Sequence, residues 1–174
     1  PLQGLGQGAQ PIISYNYGAR NPERVKAAFK LLLKSSLVYS TLLWALVMLF
    51  PQAFAAMFTS SETLMTFTQK ALRIYMACLL LFGIQIACQM TFTSLGNAKA
   101  SILVAVMRKF ILLIPLIYIM PLLFSADKTT AVYMAEPVAD FIAVTFTAIF
   151  FTFQFKKALK GISGKRETPE STAQ

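Results

Sequence analysis

The sequence predicts an all-α, polytopic transmembrane helix bundle with about five membrane-spanning helices. Three observations predict it. Of 174 residues, 56% are hydrophobic and only 13% charged, far from the roughly 45–50% and 25% of soluble domains. The apolar residues gather into long blocks, and not into amphipathic stripes. The basic residues cluster at the block ends, in alternate loops.

The blocks give spans of approximately 2–19, 31–50, 74–98, 103–124 and 131–155. The first is uncharged but rich in glycine and proline, residues that membrane helices carry more often than soluble ones because close packing and neighbouring groups compensate. The second is interrupted only by Lys34 near one end. Ile74 to Ala98 is the clearest, with no charge in 25 positions, long enough at about 1.5 Å per residue to cross a core of about 30 Å with some tilt. The fourth lengthens backward past Lys109 and Arg108, and the fifth carries two acids. Residues 159–174 are polar and read as a disordered tail. The chain opens on Pro1 with no signal peptide, as expected of a piece of a longer polypeptide.

Cys78 and Cys88 lie in one predicted span, about 15 Å apart along it, too far to bridge, and read as apolar filler. The net charge of +9 does not indicate nucleic acid. Arg20, Arg24, Lys26, Lys30, Lys34, Lys99, Arg108, Lys109, Lys156, Lys157, Lys160, Lys165 and Arg166 fall on one side, thirteen of sixteen basic residues, against Lys70, Arg73 and Lys128. The positive-inside rule then places the basic loops and the C-terminus in the cytoplasm, and Ser60 and Ser125 outside.

Glu136 and Asp140 are the first candidates for function. Their spacing of four puts both on one helix face, and a carboxylate inside the membrane is costly unless paired, hydrated or protonated. The pair suits holding a cation or exchanging a proton. The plainer reading starts the helix at Pro137, with Glu136 interfacial; Pro137 otherwise sets a bend. Gln85 and Gln89, with Thr93 on the same face, either line a cavity or tie their helix to a neighbour. Gln10 is assigned to cavity lining and Asn16 to capping the first helix. Among the phenylalanines of the last span, Phe150 and Phe151 flank the continuation of the acidic face and suit flat cationic compounds. With no histidine, no phosphate-binding glycine motif and no Cys-x-x-Cys, the chain lacks the parts of an ATP-driven pump, a dehydrogenase or a thiol-ligated metal site, so no enzyme, cofactor or metal is expected.

The run from Gly4 to Ala19, with Gln10-Pro11 mid-helix and Asn16-x-Gly18-Ala19 at its end before Arg20-Asn-Pro-Glu-Arg24, resembles the eighth helix of the multidrug and toxic compound extrusion family. Met134-Ala-Glu136-Pro137-Val-Ala-Asp140 is similar to the opening of that family's twelfth helix, and Thr93-Ser-Leu-Gly96 with Lys99 looks like the end of the tenth. The resemblance implies helices eight to twelve of twelve, five of the six helices of the C-terminal lobe, in a prokaryotic cell membrane. It implies efflux of cationic drugs, antibiotics and other xenobiotics among them, by antiport against H⁺ or Na⁺ between this lobe and a missing N-terminal one. Some members carry a carboxylate in the tenth helix for Na⁺, whereas the region around Gln85 is neutral. Two alternatives stand beside this reading. A flippase of lipid-linked oligosaccharides wants a basic cavity, and a non-transporting scaffold makes the two acids dispensable.

Overall fold

A computed structural model describes residues 1–57, 61–124 and 128–164; Ser60, Ser125 and the end of the tail lie outside them. The described chain is helical with no strand. Its helices are α1 (Leu2–Gly18), α2 (Pro22–Leu49), α3 (Pro51–Ala56), α4 (Glu62–Tyr75), α5 (Phe82–Ser94), α6 (Ala98–Val106), α7 (Ile114–Leu123) and α8 (Lys128–Gly164). A single 3₁₀ turn, Leu79–Leu81, precedes α5, and a π-helical stretch, Met107–Leu113, joins α6 to α7 in one rod.

By length and composition three helices among the described residues can cross a membrane: Pro22–Leu49, Ala98–Leu123 and most of α8. A fourth arises if α4 and Leu79–Ser94, bent by 42°, count as one broken span. The remaining expected span, α1, is a helix of 17 residues, about 25 Å long.

Two expectations are corrected. The predicted span 74–98 is not one helix, because its backbone breaks at Met76–Leu81. Nothing local forces the break, since the segment contains neither glycine nor proline. What holds it open is α2: the Trp44 indole donates to the Ala77 carbonyl at 3.1 Å, and the Ser40 hydroxyl donates to the Leu80 carbonyl at 2.9 Å. Carbonyls freed in an apolar medium each need such a partner. Replacing Trp44 with Phe leaves the Ala77 carbonyl without its donor and is expected to cost about 1–3 kcal/mol, read as a lower melting temperature in detergent. An unchanged melt would show that the indole bond is dispensable.

The second correction is the tail. Helix α8 continues through residues 159–164 because Leu159 and Ile162 are buried in the core. At 37 residues it is about 55 Å long, well beyond the thickness of the hydrocarbon.

The core lies where α1, α2, α5 and α8 meet, with Ile13, Leu32, Ala87, Phe92, Phe151 and Phe155 at its centre. Small residues bring these helices together. The Ser14 hydroxyl donates to the Ser94 carbonyl at 2.8 Å across α1 and α5, and Gly83 of α5 lies directly against Ser36 and Ser40 of α2.

The ends of α1 and α5 are built alike. The backbone turns left-handed at Arg20 (φ 53°) and at Gly96 (φ 73°), and the next amide reaches back to Asn16 and to Phe92, each at 2.9 Å. An asparagine, Asn21 or Asn97, then caps the following helix through its side chain. These are Schellman endings followed directly by N-caps, and they turn the chain back into the bundle at the basic ends of the spans.

Candidate functional site

Three irregular helices converge on one charge cluster. The first is the break before α5. The second is the π-helical stretch, where the Ile114 amide reaches back to the Lys109 carbonyl, a bond one residue longer than the α-helical one. Pro115 just downstream supplies the cause, since it has no amide to donate and its ring crowds the carbonyl of Ile111. The third is α8, which carries Pro137 in its interior, so its ladder lacks the bond to the Tyr133 carbonyl, in the turn that holds Glu136. Backbone departures of this kind in a membrane helix persist where neighbours stabilise them and often mark functional sites.

Arg108, in the π-helical stretch, binds both acids of α8. Its Nε donates to Asp140 Oδ1 at 2.6 Å, and its Nη2 donates to Glu136 Oε1 at 3.2 Å. The guanidinium lies 5.0 Å from the ring centroid of Phe82, the first residue of α5. Tyr75, the last residue of α4, is within electrostatic reach of all three charges. The side chains of Arg108, Glu136 and Asp140 are 16%, 17% and 12% exposed. Arg108 stands about 15 Å along the rod from Ala98, and the acids about 12 and 18 Å along α8 from Lys128. The rod and α8 pack side by side, so the cluster lies well inside both helices and away from their ends.

This geometry corrects one reading of the sequence. Pro137 does not start a helix, so Glu136 is inside α8 and not at the interface. Arg108 and Lys109, counted above with the basic residues of one side, lie ten and eleven positions into the rod, as the predicted span 103–124 has them. Lys109 is exposed beside Arg108.

The other candidates are dispersed. Gln85 is buried on α5 one turn below Phe82, and its Oε1 has no hydrogen-bond partner among the described residues. Gln89 is half-buried one turn further on. The Gln10 amide donates to Met90 Sδ at 3.4 Å, linking α1 to α5. The Asn16 side chain donates back to the Ile12 carbonyl at 2.8 Å and does not cap the helix end, which the backbone of Arg20 and Asn21 closes. Pro11 is interior to α1, and Gly18 is its last residue. Phe151 is buried in a cluster with Phe29, Phe92 and Phe155, ring centroids 4.6 to 5.1 Å away. Phe150, half-buried, packs on Phe92 and stacks on Phe146. Cys78 and Cys88 are free thiols. No group of three or more potential metal ligands occurs among the described residues.

Sequence reading missed Arg108, Phe82 and the break. The available signal was the position of Arg108, with Lys109, within a run from Ala100 to Phe124 that holds no other charge, where a charge asks for a partner.

A family model described as MatE matches residues 1–119. Comparison with curated proteins finds no match. Among solved structures, a multidrug resistance MATE family transporter of the MOP superfamily, in its inward-facing conformation, superposes with a TM-score of 0.81 at 20% identity, over 92% of this chain and 37% of that one. A MATE protein in a bent conformation gives 0.84 at 18% identity, over 94% and 36%. The MATE multidrug transporter DinF-BH, solved in complex with R6G, gives 0.80 at 32% identity, over 87% and 33%. The chain therefore spans about a third of the length of the solved transporters it matches.

Proposed function

The chain belongs to the MatE family, and on that premise we propose that it is five helices of the C-terminal lobe of a secondary active exporter of cationic amphipathic compounds. The family consists of transporters, not enzymes, and the chain is a multi-pass membrane protein with their fold. In the proposed mechanism two lobes rock about a cavity near the midplane, and inward movement of H⁺ or Na⁺ drives outward movement of the compound. The neutral surroundings of Gln85 favour H⁺.

One observation carries the reading. Two carboxylates and one guanidinium are held together, each side chain less than a fifth exposed, where three irregular helices meet. The cluster has one negative charge in excess, so a cation or a proton is the species that balances it. Charge of this kind inside a bilayer is costly to keep and tends to mark a transport path.

The test is gradient-driven dye movement by the full-length transporter carrying this lobe, reconstituted in liposomes. An imposed H⁺ or Na⁺ gradient is expected to move ethidium outward. Correctly inserted protein that moves no dye under either gradient would overturn the reading. The lobe alone is expected to move none, since it supplies half of the cavity walls. Orientation is checked with Arg24→Cys, which is expected to label only from the cytoplasmic side of intact prokaryotic cells; strong labelling from outside would reverse it.

A further inference from the structure

We propose that Arg108 sets the valence of the cation this site accepts, selecting monocations over dications. The inference rests on the reading of Glu136 and Asp140 as a cation site and adds the charge that the site carries.

Two carboxylates four residues apart hold two negative charges, which would suit a dication or two monovalent ions. Arg108 neutralises one of them. Its guanidinium is permanently protonated and forked, and the fork reaches both acids: Nε serves Asp140 and Nη2 serves Glu136. The sum is minus one. Lys109 acts on Glu136 from an exposed position and is not one of the cluster's ion pairs, and Tyr75 is neutral at ordinary pH, so the hydrogen-bonded cluster itself keeps that count. The three side chains are less than a fifth exposed, where salt and water screen weakly. A monocation then leaves the site neutral. A dication leaves one positive charge in a poorly solvated place, and an anion leaves two negative ones. Phe82, already beneath the guanidinium, offers a ring face to a flat organic cation as well.

Ethidium and propidium test this, because they share a phenanthridinium ring system and differ in carrying one or two permanent charges. In the full-length transporter, binding and efflux are expected to favour ethidium. Arg108→Gln leaves both carboxylates uncompensated, and the propidium-to-ethidium ratio is expected to rise about tenfold or more, about 1.4 kcal/mol. Arg108→Lys keeps the charge and is expected to keep the preference. The double variant Arg108→Gln with Glu136→Gln restores a sum of minus one and is expected to restore it too.

If Arg108→Gln does not fold, the comparison moves to Glu136→Gln, whose sum is zero. Adding Arg108→Gln to it is expected to recover ethidium binding. A ratio that does not follow the charge sum, or a double variant no better than Glu136→Gln alone, overturns the proposal, since a purely structural arginine would depress both dyes together. The underlying cation-site reading fails separately, if Asp140→Asn and Glu136→Gln handle both dyes as the wild type does.

Discussion

Replacing Asp140 with Asn in the full-length transporter is expected to lower efflux by tenfold or more for each correctly inserted molecule. The substitution keeps size and removes charge. Asp140 accepts the shorter of the two bonds from Arg108, and hydrogen bonds to charged groups are worth about 1.5–3 kcal/mol, whereas tenfold needs about 1.4. The loss of charge also turns the site from minus one to zero, which removes the reason for a cation to enter.

Expression is expected to fall as well, and the structure reverses what the isolated carboxylate would suggest. A lone buried acid gains from being neutralised, since an amide is cheaper to bury. A paired one does not, because Arg108 is left with a single partner in a weakly screened place, and breaking a buried pair costs roughly 3–5 kcal/mol. The two effects separate when efflux is divided by the amount of folded protein recovered by size exclusion. Normal efflux per folded molecule with poor recovery would make the cluster a latch between the rod and α8, and nothing more.

The helices were legible because an apolar block of twenty residues has few other uses. The acids were legible because a carboxylate in such a block needs an explanation. The break before α5 was not legible, since its cause is 33 and 40 residues away in Trp44 and Ser40 and the broken segment itself reads as an ideal span. Arg108 was hidden by its neighbour. Beside Lys109 it counts as part of a basic cluster, and although the predicted span 103–124 includes both, nothing in the sequence pairs Arg108 with the acids of α8, 28 and 32 residues away. Helix α8 outran its predicted end because Leu159 and Ile162, two apolar residues among lysines, find a core to bury in. Phe151 reads as a ligand surface by its position on the helix, but tertiary packing places it among other phenylalanines.

Gly83→Ala is expected to damage the lobe more than its single methyl suggests. A Cβ at position 83 would lie 2.7 Å from the Ser36 carbonyl oxygen and 2.7 Å from Ser40 Oγ. The first of these is backbone of a 28-residue helix and cannot rotate away, so α5 must move off α2. That movement stretches the Ser40 bond to the Leu80 carbonyl, which supports the break. It also shifts Phe82, the preceding residue, from beneath Arg108. Overpacking costs about 1–3 kcal/mol, so the melting temperature is expected to drop by about 5 °C or more. Efflux is expected to fall with it through the displaced Phe82. Gly161 is the control, because a Cβ there meets nothing within 4 Å and alanine favours the helix by up to about 1 kcal/mol. If Gly83→Ala melts and transports like Gly161→Ala, the contact between α2 and α5 is looser than this geometry requires, and the break does not depend on it.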